Sequence, residues 1–183
     1  MKEEKILFSV AYLDGFHGSV IHVAELSSYL ASQGWDVTVV SIYIDKDKIQ
    51  NLFDGGIVLK TVLEVRNEEF DIIWAYHFPL IGALFASGVS CERLVFGSLS
   101  CNEKLETPPV FWKSCSVLHA VSWECASQLS EDYSIPLKAF SIVENWLPDN
   151  FVDFSKPQRA TLKSIGVVSN GHFRKFNPLT SKG

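Results

Sequence analysis

The feature that most constrains the fold is the order of segments between Lys5 and Ile44. The run Lys5-Ile6-Leu7-Phe8-Ser9-Val10-Ala11-Tyr12-Leu13 reads as a buried strand and passes directly into Asp14-Gly15-Phe16-His17-Gly18-Ser19. A helix follows with Val20, Val23, Leu26 and Leu30 on one stripe; Gly34 stops it, and Asp36 to Ile44 supplies a second strand. A strand, a glycine turn, a helix and a strand make a right-handed βαβ unit of a parallel sheet. Gly15 and Gly18 let the backbone bend sharply and approach a bound group. The free N–H groups opening the next helix favour an anionic or hydroxyl-rich ligand. Gly15, Phe16, His17, Gly18 and Ser19 are therefore the first candidate binding residues.

The alternation continues along the chain. Asp45 to Phe53 reads as a short helix, Gly55-Gly56 breaks it, and Ile57 to Leu63 is an apolar, β-branched strand. Phe70 to His77 is the next strand, with Pro79 placed to open a helix running to about Ser87. Arg93 to Ser100 follows, then Pro108-Pro109, a short helix at Phe111 to Cys115, and the strand Val117 to Ser122. Ser122 has the chemistry of an N-cap for a helix ending near Tyr133, and Ala139 to Glu144 forms a last strand. Near-continuous apolar strands separated by helices predict an α/β fold: a Rossmann-like, doubly wound, mostly parallel sheet with helices on both faces. This domain spans 1–145, an interdomain linker 146–160, and the first strand of a truncated C-terminal domain or tail 161–183.

Composition narrows the function. Hydrophobic residues make up 47% of the 183, enough for one substantial core. With 16 Lys and Arg against 21 Asp and Glu, the net charge of −5 gives no general attraction to nucleic acid or to an anionic membrane. The four cysteines, Cys91, Cys101, Cys115 and Cys125, form no C-x-x-C pair and have no histidine at zinc-ligand spacing, so free thiols in a reducing cytoplasm and no metal are expected. No Lys or Arg stands between Lys5 and Lys46, which removes the lysine a P-loop needs. The turn is Gly-x-x-Gly rather than G-x-G-x-x-G, which disfavours a dinucleotide site. No G-x-S-x-G elbow marks a hydrolase. Neither the N-terminus nor the apolar stretch Phe78 to Val89 reads as a signal peptide or a membrane span.

Five stretches together resemble the N-terminal half of a GT-B retaining glycosyltransferase that uses nucleotide sugars. The glycine loop with His22-Val23-Ala24-Glu25-Leu26 and Gly34-Trp35-Asp36-Val37-Thr38-Val39-Val40 resembles that family's loop, first helix and second strand. Phe70-Asp71-Ile72-Ile73-Trp74-Ala75-Tyr76-His77 is similar to a strand ending in a histidine turn, and Ala120-Val121-Ser122-Trp123-Glu124 to a family helix start. Phe140-Ser141-Ile142-Val143-Glu144-Asn145 resembles the crossover, and Ser164-Ile165-Gly166-Val167-Val168-Ser169 the first strand of the C-terminal domain. Where many relatives place a cleft histidine after Leu94-Val95-Phe96, this chain has Gly97-Ser98-Leu99-Ser100.

The resemblance implies transfer of a sugar from a UDP- or GDP-sugar to a glycan, lipid-linked or small-molecule acceptor. No cofactor is held tightly, and a C-terminal donor-binding domain is the missing partner; these residues alone are expected to be inactive. Self-association through the tail and at most peripheral contact with the inner face of a membrane complete the expected partners. Phe111, Trp112 and Lys113 are the residues that would suit such contact. His17 and His77 fall at carboxyl ends of strands, where open α/β sheets bind ligands. Ser98 joins them as an acceptor contact, and Glu144 and Asn145 stand at the cleft entrance. His22 and His119 are expected to be structural, and no catalytic residue is assigned. Two alternatives stand beside the enzyme: a non-catalytic GT-B-like binding or assembly module, and a single-domain Rossmann-like ligand-binding protein.

Overall fold

The computed structural model describes residues 4–49, 51–53 and 55–144. The expected linker 146–160, the tail 161–183 and Asn145 lie outside them. Seven strands form one all-parallel sheet: β1 (Lys5–Ser9), β3 (Asp36–Ser41), β5 (Val58–Thr61), β6 (Glu69–Ala75), β7 (Ser90–Ser98), β8 (Val117–Ala120) and β9 (Phe140–Ile142), in the spatial order β5-β3-β1-β6-β7-β8-β9. The chain winds outward from β1 to β5, returns beside β1 as β6, and winds outward again. The expected doubly wound α/β architecture is the observed one. Such a sheet has its topological switch point between β1 and β6, where a crevice opens at the carboxyl edge.

Each face of the sheet has its own core. Ile6 and Phe8 of β1, Val37 and Val39 of β3 and Tyr76 meet Val20 and Val23 of α1 (Gly18–Ser32). Leu7, Ile73, Ala75, Leu94, Phe96, Leu118 and Ala120 meet Ile81 and Leu84 of α3 (Phe78–Ala86) and Cys125, Ala126 and Leu129 of α4 (Trp123–Tyr133). Alternate residues of one strand thus feed opposite cores, which is why β1 is apolar without a break. Each fully buried Leu, Ile or Phe contributes roughly 1.5–3 kcal/mol.

Local signals act as their chemistry requires. Gly34 has a φ of 87°; its N–H donates to the Ala31 carbonyl and the Trp35 N–H to that of Leu30, a Schellman ending. Ser122 Oγ accepts from the Cys125 N–H at 3.1 Å, capping α4.

Four expectations about length need correction. The strand expected from Lys5 to Leu13 breaks after Ser9, and its last residues form β2 (Tyr12–Leu13), which pairs in parallel with β4 (Tyr43–Ile44), the detached end of the strand expected from Asp36 to Ile44. The cause is a shared bend. The Ala11 carbonyl accepts from the Ile42 N–H, and Ser41 Oγ lies 2.8 Å from both the Ala11 and Tyr43 carbonyl oxygens, a tertiary bond that no periodicity reveals. The helix expected over Asp45 to Phe53 shrinks to α2 (Lys46–Ile49). The helix expected at Phe111 to Cys115 is a single 3-10 turn over Trp112–Ser114.

Candidate functional site

The carboxyl edge has two walls that meet at the switch point. On the β1–β3 side, the loop after β2 carries Asp14, Gly15, Phe16 and His17 to the start of α1, with His17 at the N-cap position in extended conformation and no side chain capping the helix. His17 Nε2 lies 3.1 Å from Asp14 Oδ1, and both side chains are open to solvent. Phe16 is 70% exposed. Gly18 opens α1 without a positive φ, and a Cβ there would meet open space. A methyl at Gly18 therefore clashes with nothing within the described residues.

On the β6–β8 side the polar groups are sealed inside. His77 follows β6 and is 6% exposed; its Nδ1 accepts from the Ala11 N–H at 2.6 Å, a bond that stitches the two walls together across the switch point. That bond leaves the neutral ring's proton on Nε2, which stands 3.9 Å from Oε1 of Glu106, itself 5% exposed. Glu106 Oε2 accepts from the backbone N–H groups of Leu99 and Ser100, the latter at 2.7 Å, and Ser98 Oγ donates to the Glu106 carbonyl at 2.8 Å. One buried carboxylate therefore folds the loop after β7 back onto its own strand. Burial lifts the Glu106 carboxyl to about 7 against the opposing pull of those two N–H groups, and burial pushes His77 below the ordinary histidine range. Near pH 7 the Glu106 carboxyl is therefore about half ionised, while burial favours the neutral His77 ring.

Beneath this wall lies an aromatic and histidine cluster. His22 Nε2 is 2.9 Å from the Tyr76 hydroxyl, and the Trp74 ring stacks on Tyr76 at 6.2 Å and meets His119 edge-on at 5.5 Å. His119 Nε2 donates to the Val143 carbonyl at 3.0 Å, and burial lowers its pKa. Gly97 admits the cluster: a Cβ there would come within 2.7 Å of the Tyr76 ring and 3.0 Å of Trp74 Nε1. The expected structural roles of His22 and His119 agree with this packing.

The fold matches the solved apo form of WaaB, a lipopolysaccharide outer core galactosyltransferase, with a TM-score of 0.56 at 15% sequence identity over 86% of this chain. The fold is that of an N-terminal GT-B half. This chain covers 50% of the length of WaaB's. No protein-family model and no curated protein matches the sequence.

On this GT-B half, the candidate residues separate. Gly15, Phe16, His17, Gly18 and Ser19 share one loop and helix start, while His77 and Ser98 sit together in the sealed wall with His77 Nδ1 and Ser98 Oγ already engaged. Glu144 is exposed after β9. Sequence reasoning missed Glu106, since an acid after a polar loop looks like a solvated one; its only signal was its position just before Pro108-Pro109. Trp112 packs on the core with Lys113 Nζ 5.7 Å from its ring centre, while Phe111 remains 39% exposed. Among the described residues no group of three His, Cys, Asp or Glu is placed to hold a metal ion, and no helix is long and apolar enough to cross a membrane.

Proposed function

We propose that this chain forms the acceptor-side half of a glycosyltransferase. A UDP- or GDP-sugar is the donor, and a C-terminal domain that binds it completes the cleft. The observation that carries the reading is the GT-B topology, whose switch point brings an open, hydroxyl- and carboxylate-bearing loop to the carboxyl edge beside a wall locked by His77 and Glu106. In this reading the glycine loop and the start of α1 face the saccharide acceptor. The α1 N–H groups, free of any side-chain cap, supply donors to sugar hydroxyls or to the donor's diphosphate. Glu144, exposed after β9, serves at the cleft entrance. The enzyme works in the cytoplasm, touches a membrane only peripherally, holds no tight cofactor, and meets further copies through its tail.

Deleting the gene in cells that carry it and profiling their glycans and glycolipids by mass spectrometry tests the reading. The expected result is loss of one product, with accumulation of the precursor one sugar shorter and recovery on complementation. An unchanged glycan profile would favour a non-catalytic binding module instead.

A further inference from the structure

The detached parallel pair β2–β4 bears two tyrosines that the core does not use. Tyr12 and Tyr43 are register partners, so their side chains leave the same face of adjacent strands, whose backbones run about 4.8 Å apart. Tyr12 is 51% exposed and Tyr43 53%, whereas Leu13, pointing the opposite way, is fully buried. A lone exposed aromatic is ordinary on a protein surface, but here two half-exposed tyrosines leave the same face of adjacent strands in register, each with a hydroxyl at its tip.

The rim of this platform is polar and of mixed sign. Asp14 follows β2 and is paired with His17; Asp45 follows β4 and is paired with Lys48 at 3.0 Å. Lys48 also lies close enough to Tyr43 and Asp14 for their charge to act on its ammonium, which places strands and rim in one patch. Two carboxylates against one lysine offer no cationic surplus for an anionic lipid surface. A saccharide fits both parts. The C–H-rich face of a pyranose packs on the electron-rich face of an aromatic ring, and its hydroxyls donate to carboxylates and accept from an ammonium or imidazole.

We propose that Tyr12 and Tyr43 form a stacking platform for a pyranose ring of the saccharide acceptor, with Asp14, His17, Asp45 and Lys48 as the hydroxyl-binding rim. The proposal rests on the transferase reading and names its acceptor subsite. The bend set by Ser41 and Ala11 detaches this pair from the main sheet, which turns the two strand ends from sheet interior into an exposed shelf.

The test applies the full chain to a printed glycan array, followed by titration calorimetry with the best-binding free oligosaccharide. Tyr12→Ala and Tyr43→Ala are each expected to weaken binding about tenfold, while Tyr43→Phe, which keeps the ring, stays within about threefold. Backbone NMR spectra establish that each variant is folded. Wild-type affinity in folded alanine variants would overturn the platform and leave the transferase reading standing on the glycan profile. Two other outcomes would also overturn it: an array with no bound saccharide, and tyrosine-dependent binding to mixed phosphatidylcholine and phosphatidylglycerol vesicles in place of sugars.

Discussion

The two walls of the carboxyl edge are built from the same kind of segment, the loop after a parallel strand, yet they spend their polar groups in opposite ways. After β6 and β7, His77, Ser98 and Glu106 are buried and turned on one another and on backbone N–H groups. On and after β2 and β4, Asp14, His17, Tyr12 and Tyr43 remain open to water. The contrast shows that a histidine or serine at a strand's carboxyl end is not by that position a ligand contact. Its hydrogen-bonding capacity must be unspent, and on the β6–β8 wall His77 Nδ1, Ser98 Oγ and Glu106 Oε2 have spent theirs.

The comparison breaks most readily at Glu106. Glu106→Ala leaves the Leu99 and Ser100 N–H groups without their acceptor and opens a cavity, and it should cost about 4 kcal/mol in urea denaturation at pH 5.5. A cost below about 1 kcal/mol would mean that this wall is not locked. The titration of the same carboxyl gives the next largest effect. Its pKa in the folded chain is raised to about 7 from 4.5, so the folded state holds this proton more tightly than the unfolded one. That contribution is complete below pH 4.5 and is lost as pH rises through 7, a swing of roughly 3 kcal/mol by linkage. Glu106→Gln should flatten this part of the stability profile, and a profile unchanged by the substitution would refute the assignment.

Gly97→Ala pushes a methyl into the Tyr76 and Trp74 rings, which are held by their own stacking, and should cost about 2 kcal/mol with a changed near-ultraviolet dichroism. His17→Ala on the open wall should leave the melting temperature where it is, because the Asp14 pair is exposed on both sides. A clear fall in melting temperature would show that the open wall is also structural.

What the sequence revealed follows the range of the forces involved. Gly34 and Ser122 act on backbone within a few residues of themselves, and their roles as helix stop and helix cap were readable in place. The alternation of apolar strands and helices was equally readable, because burial on two faces leaves a continuous signature in β1. Gly97 looked like the mere replacement of a cleft histidine; its reason for being glycine lies in the rings of Trp74 on β6 and Tyr76 just after it. His77 could be placed at the edge from its position in the chain, but not its engagement, which depends on a backbone N–H 66 residues away. The bend that frees Tyr12 and Tyr43 is likewise tertiary, set by one serine hydroxyl.

The most direct test of the open and locked walls is an amide-resolved NMR titration of the full chain with a saccharide that it binds. The account predicts that shifts concentrate on residues 12–19 and 43–48, while the Leu99 and Ser100 amides, held by Glu106, stay in place. Shifts centred on His77 and residues 98–106 with the glycine loop silent would contradict it.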